Sequence, residues 1–334
     1  MSKNDIGLGA PLFVKELKDV LSRSAGDDLR RFLLKFDDLA SHKWILVSDY
    51  TIHDDNKKVD VMVFSLLPYL IDFEQFASLV RQLAPYDLKQ TEKINATFED
   101  FLRVLPGLHF AIIMPKGFSW ANPKTETYKT VTLFVSGYRD MLAEWERSTP
   151  EAAAKYLPIR KEMEKTLKNL DRPNEAWCSN GGRHVRKIYD IITLASIAFV
   201  LLQRIIEIVP CSQICWMADR DGTMEWPKCS LDKGELFFNF VCDYLHIDFS
   251  NRGAKFDLTK LLIVKPSPQG RNWYDEYIRI PDYIAGVISR IDMNTGFTIE
   301  RFRGILEKVI ANNVSLIPLR IDDKAVCRLE FLNK

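Results

Sequence analysis

Two short stretches, Trp44-Ile45-Leu46-Val47-Ser48-Asp49-Tyr50 and Ile214-Cys215-Trp216-Met217-Ala218-Asp219, are apolar at nearly every position instead of every second one. A strand of that kind has no face suited to water, so it must lie in a sheet covered on both sides. The two runs are therefore expected to be parallel neighbours at the sheet centre. The run from Lys57 to Phe64, reached through the turn-prone His53-Asp54-Asp55-Asn56, is expected antiparallel beside the first.

The rest of the chain reads mostly as helix. Phe13, Leu17, Val20 and Leu21 repeat at helical spacing, as do Leu29, Phe32, Leu33 and Phe36 after a break at Ser24-Ala25-Gly26. Residues 72–105 return to that spacing, Pro106-Gly107 stops it, and 108–114 reads as a third strand. A stripe from Tyr128 to Trp145 is helical, and Ser179-Asn180-Gly181-Gly182 reads as a loop before a long buried helix at about 184–208. Within that helix, Ile191 to Leu202 is unbroken apolar sequence, yet shorter than the ~20 residues that span a bilayer, so it is expected in a core and not in a membrane. A strand at 261–264, a short helix opening at Pro281 and a helix-plus-strand tail from about 298 to 332 complete the pattern. Strands alternating with helices imply an α/β fold with a mixed sheet flanked by helices. The expected organisation is an N-terminal helical segment (1–40) followed by one domain (41–334) with helical insertions at about 70–105 and 120–185.

Lys and Arg total 46 against 45 Asp and Glu, which excludes a polycation that coats nucleic acid by net charge alone. The six cysteines are scattered, and no basic-then-apolar leader opens the sequence, so reduced thiols in a cytoplasmic protein are expected. Cys211 and Cys215 with Cys229 lack the second close pair that a zinc site needs. There is no GxxxxGK[ST], no strand-linked GxGxxG, no GxSxG and no HExxH. Any chemistry must come from acids.

Three aspartates stand where a surface acid is not expected. Asp49 and Asp219 end apolar strands, and a strand period of two puts Asp219 and Asp221 on the side of Cys215 and Met217. Asp282 follows Pro281, with Ala285 and Gly286 one turn on. Carboxylates at buried strand ends need a positive neighbour. A pair of divalent ions about 3.5–4 Å apart, bridged by such acids, supplies one and hydrolyses phosphodiesters. All-oxygen ligation suits Mg²⁺ or Mn²⁺. Each acid also has a simpler reading: Asp49 as a turn residue, Asp219 and Asp221 as a turn with a local ion pair, Asp282 as a helix-dipole partner.

The order of acid-bearing strand, hairpin strand, strand, long helix, acid-bearing strand, helix, strand and acid opening a helix with a nearby Gly resembles the RNase H-like superfamily. Within it, Ser48-Asp49-Tyr50, Met217-Ala218-Asp219-Arg220-Asp221 and Ile280-Pro281-Asp282-Tyr283-Ile284-Ala285-Gly286 are similar to motifs of the bacterial proteins grouped as "domain of unknown function 3800", over about residues 44–292. The resemblance implies an RNase H-like fold and metal-dependent nuclease chemistry in which Asp49, Asp219 and Asp282 are catalytic and ligate Mg²⁺ or Mn²⁺, with Asp221 in reserve. Position 50 departs from the pattern, being Tyr where an acid often stands; Asp54, Glu74 or Asp221 are the substitutes on offer.

A nucleic-acid partner would be met by Arg183, Arg186 and Lys187 at a helix start and by Lys265 and Arg271 around Trp273, where cations alternate with a stacking surface. Two functions follow: a nuclease or related phosphodiesterase, or a non-catalytic RNase H-like scaffold that binds a protein partner, as in a bacterial defence or mobile-element system. They differ in one observable. The first needs the three carboxylates to converge; the second lets them lie apart.

Overall fold

Every interior position of the first strand is buried, as its unbroken apolar run requires. The computed structural model describes residues 13–36, 43–116, 124–171, 175–208, 213–227, 229–232, 234–253, 257–267, 269–292, 300–311, 315–322 and 325–331. Strands β1 (Lys43–Thr51), β2 (Val59–Pro68), β3 (Leu108–Pro115), β4 (Gln213–Ala218), β5 (Leu261–Val264), β6 (Leu316–Ile321) and β7 (Val326–Arg328) form one mixed sheet in the order β5-β4-β1-β2-β3-β6-β7. β1 pairs parallel with β4, Val47 opposite Met217, and antiparallel with β2, Asp49 opposite Val63. β4 with β5 and β3 with β6 are also parallel, so β1, β3, β4, β5 and β6 all end on one edge. The tail thus adds two strands to the sheet.

Helices α1 (Phe13–Ser22), α2 (Ser24–Leu34), α3 (Phe73–Leu83), α4 (Ala96–Val104), α5 (Lys124–Ser148), α6 (Ala153–Asp171), α7 (Glu175–Ile208), α8 (Glu235–Asn251) and α9 (Asp275–Ile288) complete the regular structure, with a shorter helical stretch over 303–311. Two compact units result. One is the sheet with α2, α3, α4 and α9; the other gathers α5, α6, most of α7 and α8. In the helical unit Phe134 and Tyr138 of α5 meet Phe240 of α8 edge-on, at 5.1 and 4.8 Å between ring centres.

Three local expectations are corrected. α7 runs through Ser179–Gly182, where a loop was expected. Two glycines cost a helix interior only about 1 kcal/mol each relative to Ala, which the long apolar continuation of the helix outweighs. The N-terminal break falls at Arg23, so Ser24-Ala25-Gly26 opens α2. Most consequentially, α9 begins at Asp275 and contains Pro281 in its interior. Its first turn carries Asp275 and Glu276, and Asp282 lies mid-helix instead of at a helix start. Ile191 to Leu202 is buried, within the one helix among the described residues long and apolar enough to cross a membrane.

One face of the sheet positions the site. Val47, Val61, Val63, Ala111, Ile113 and Met217 form a core with Ile284, Ala285 and Ile288 of α9 and with Val80 and Phe98 of α3 and α4. Period-two alternation sends Ser48, Tyr50 and Trp216 to the other face, where the Trp216 indole N–H donates to Ser48 Oγ (3.0 Å) and Ser48 and Tyr50 share a hydrogen bond (2.7 Å). Ile284 is fully buried in the α9 core. Ile284→Ala is expected to cost about 2–5 kcal/mol by leaving a cavity under α9. Denaturant melts with an unchanged m-value check this, and a loss below about 1 kcal/mol would place α9 off the sheet.

Candidate metal centre

The parallel pairing of β1 and β4 sets two carboxylates side by side. Val47 faces Met217, and the ladder continues one step past the last registered pair because the Asp219 N–H donates to the Ser48 carbonyl (2.8 Å). Asp49 and Asp219 each lie two residues on from that Val–Met pair, so both project onto the α9 face, on strands about 4.8 Å apart. Asp49 is 6% exposed, whereas Asp219 and Asp282 are half-buried and reach the surface.

Asp282 arrives from the helix. α9 is anchored at its start by the Tyr274 hydroxyl, which donates to the Ala218 carbonyl at the end of β4 (2.9 Å). Three of its side chains grip the segment after α3. Arg279 donates to the Ala84 carbonyl (2.7 Å), Tyr283 to the Tyr86 carbonyl (3.0 Å), and the Asp282 carboxylate accepts the Leu88 N–H (3.0 Å). Gly286 faces the same turn and not the sheet: a Cβ there would stand 2.1 Å from Leu88 Cδ2. The small residue thus brings α9 close to the turn that orients Asp282, while the approach to the sheet falls to Ala285.

The three acids act on one another. Burial, and then the charges of Asp282 and Asp219, hold the Asp49 carboxyl well above the usual carboxylate range, and a hydrogen bond with the Asp219 side chain reinforces this. Asp282 is pushed up to about 6, chiefly by burial and further by Asp87 and Asp219, against the lowering effect of the Leu88 N–H. Nearby carboxylates without a counter-charge relieve repulsion by holding a proton between them. Among the described residues no three His, Cys, Asp or Glu side chains have their donor atoms already gathered around a cation position. The donor set is nonetheless all carboxylate and half-open to solvent, which fits a hard divalent ion that would take the place of that proton. No family model, no curated protein and no solved structure matches the chain.

The other expected residues fall outside this convergence. The Asp221 carboxylate caps the turn at Gly222–Met224, accepting the Thr223 N–H (2.6 Å). Asp54 caps its own turn through the Asn56 N–H (3.0 Å), and Glu74 sits in the first turn of α3 behind the Asp72 cap. Tyr50 explains its own departure from the acidic pattern: a side chain at 50 points away from Asp49. Arg183 and Arg186 are exposed and Lys187 half-buried on α7, in the helical unit, whereas Lys265 and Arg271 are exposed in the sheet unit. Arg271 pairs with Asp275 and Glu276, both at 3.2 Å, which occupies its charge. Trp273 is 60% exposed against Phe73, its rings 4.8 Å away. Cys215 and Cys229 are pushed up to about 11 by burial and stay protonated thiols.

Three cations near Asp282 escaped the sequence reading: Lys57, Lys89 and Arg290. Asp282 is among the charges that act on Lys57 and Arg290, and Lys89 lowers Asp282 in turn. No spacing rule joins positions 57, 89 and 290.

A carboxyl raised in the folded state binds its proton more tightly there than in the unfolded chain, so ionisation at higher pH favours unfolding. For Asp282 that penalty builds up between its unfolded value near 4 and its folded value of about 6. Asp282→Asn is therefore expected to match the wild-type melting temperature near pH 4 and to exceed it by a margin that grows to a plateau above pH 6. Melts across that range check this, and a variant less stable at pH 8 would mark Asp282 as a purely structural acceptor for Leu88.

Proposed function

We propose that the protein is an RNase H-like, divalent-metal-dependent nuclease or related phosphodiesterase, with Asp49, Asp219 and Asp282 as its metal-binding and catalytic carboxylates. The observation that carries this reading is that Asp219 and Asp282, from two further elements, lie near enough to Asp49 for their charges to act on it, at the edge where the parallel strands end, the place where open α/β sheets bind ligands. The order of elements supports the RNase H-like assignment. An acid-bearing β1, the hairpin strand β2, β3, the long α7, an acid-bearing β4, α8, β5 and an acid-bearing α9 with Gly286 follow the superfamily's sequence.

When bound, Mg²⁺ or Mn²⁺ supplies a water of lowered pKa and charge stabilisation for the leaving oxygen. The chain's own part is to hold the ligands. Asp49 is fixed by the two strands that flank β1, and Asp219 by its backbone bond to Ser48. Asp282 is aimed by the Leu88 N–H, which also keeps one of its oxygens acceptor-only. Partial exposure of Asp219 and Asp282 gives a phosphodiester access to the outer side of the site. Single-stranded or flexible nucleic acid is the proposed substrate.

Purified protein is expected to cleave single-stranded DNA or RNA with Mg²⁺ or Mn²⁺ and to lose the activity in EDTA. Asp49→Asn, Asp219→Asn and Asp282→Asn should each lower the rate by about a hundredfold or more, the equivalent of several kcal/mol of lost charge stabilisation. Mn²⁺ should also raise the wild-type melting temperature, and do so less in each variant. Absence of both cleavage and metal stabilisation would favour the scaffold reading.

A further inference from the structure

Several cations of the sheet unit are answered by an acid: Lys116 meets Asp60 at 2.8 Å, Lys308 meets Asp100 at 3.0 Å, and Arg81 meets Glu276 at 2.9 Å. Beside Asp282 the pattern changes. Lys57 is only 8% exposed, and its backbone is fixed: its N–H donates to the Asp54 carbonyl, and the next two N–H groups both donate to the Ser289 carbonyl at the end of α9. Arg290, the following residue, donates to the Gly286 carbonyl and lies 4.8 Å over the Phe302 ring, which Arg301 also covers at 4.3 Å. Lys89 is the residue after Leu88, whose N–H holds Asp282. Lys57 is repelled by Arg290 and Lys89, and Arg290 by Arg301, against the pull of Asp54 and Asp282 on both. Among the described residues none of these four cations stands at ion-pair distance from a carboxylate.

Such an arrangement is costly. A nearly buried ammonium without a paired carboxylate loses hydration, and like charges held together add repulsion. An anion returns both losses, and its chemistry is set by the neighbours. Monodentate ammonium groups with one planar guanidinium fit a tetrahedral oxyanion such as a phosphate, for which Lys and Arg are the usual donors. Along the same edge, Lys58, Lys116 and Arg320 line a cavity of about 310 Å³ together with Asp292, Lys116 being paired with Asp60 and Arg320 with Asp322.

We infer that Lys57, Lys89 and Arg290 form a phosphate cradle that holds a phosphodiester next to the one cleaved, with the nucleic-acid backbone running on toward Lys58 and Arg320. The identity of the anion as a nucleic-acid phosphate rests on the nuclease reading; the cradle itself rests on three neighbouring cations with no carboxylate at ion-pair distance among the described residues. The cradle fixes the register of the strand relative to Asp282.

The test uses the full chain carrying Asp49→Asn, to prevent cleavage, with Lys57→Gln or Arg290→Gln added. Binding of a labelled single-stranded oligonucleotide is measured by fluorescence anisotropy over a salt series, and inorganic phosphate is titrated as a second probe by thermal shift. Each added substitution is expected to weaken oligonucleotide binding about tenfold and to lower the salt slope by about one. It should also reduce the phosphate-induced shift while leaving the unliganded melting temperature equal or higher. Arg103→Gln, on the exposed side of α4, should change none of these. Unchanged affinity, salt slope and phosphate shift in both cradle variants overturns the proposal, as does a lower unliganded melting temperature with an unchanged slope. If phosphate stabilises the protein through Lys57 but no oligonucleotide binds, the cradle stands and the nuclease reading falls. If the wild-type protein shows metal-dependent cleavage yet binding ignores Lys57 and Arg290, the nuclease reading stands and the cradle falls.

Discussion

The parallel ladder between β1 and β4 is the constraint on which the rest depends. It forces Asp49 and Asp219 into neighbouring positions on one face, where the repeat of the strand allows no escape to solvent for the first of them. Burial and the charge of Asp219 raise the affinity of Asp49 for its proton, a local cost to the fold around it. The fold tolerates this because the rest of that face is dense apolar core, with Val47, Met217, Ala285 and Ile288 fully or almost fully buried. Stability is given up locally at the strand ends and recovered in the layer between sheet and α9, the usual relation between a preorganised polar site and its scaffold.

α9 converts this pair into a three-acid cluster, and it does so through an unusual helix. Pro281 in its interior removes one backbone donor, normally a cost of about 3 kcal/mol in a helix. The flanking residues compensate by reaching outward, with Arg279, Asp282 and Tyr283 all bonded to backbone groups of the 84–91 segment. The helix is thereby locked in rotation, and the direction of the Asp282 carboxylate with it. Gly286 completes the lock by admitting Leu88 where any side chain would exclude it.

Much of this was legible in the sequence. The apolar continuity of Trp44–Val47 and Ile214–Ala218 carried the parallel central pair, and period two carried the shared face of Met217 and Asp219. The tail strands β6 and β7 were only partly legible, because their place in the sheet is set by pairing with β3, more than two hundred residues earlier. The α9 start was misjudged because Pro is normally a first-turn residue; here tertiary bonds from three neighbours override that preference. The glycines of Ser179–Gly182 misled because the long apolar continuation of α7 outweighs their cost to the helix. The cations at 57, 89 and 290 lay beyond reach, since they converge only after β2, the turn behind α3 and the end of α9 are assembled. For Arg271 the sequence showed the charge but not the two acids that occupy it.

The order of strands along the chain also bears on how the protein comes into being. β3, β2 and β1 form a meander of local contacts, but the partner of β1 on its other side is encoded about 160 residues after it ends. At ribosomal rates that interval is about 10–30 s. During it, β1 presents an open row of amide and carbonyl groups, the template on which edge-to-edge association begins. Helices α5, α6 and α7 are translated in the same interval, whereas α8 of the helical unit follows β4, and Asp282, on α9, is made later still. Crowding of all three acids begins only once α9 packs on the sheet.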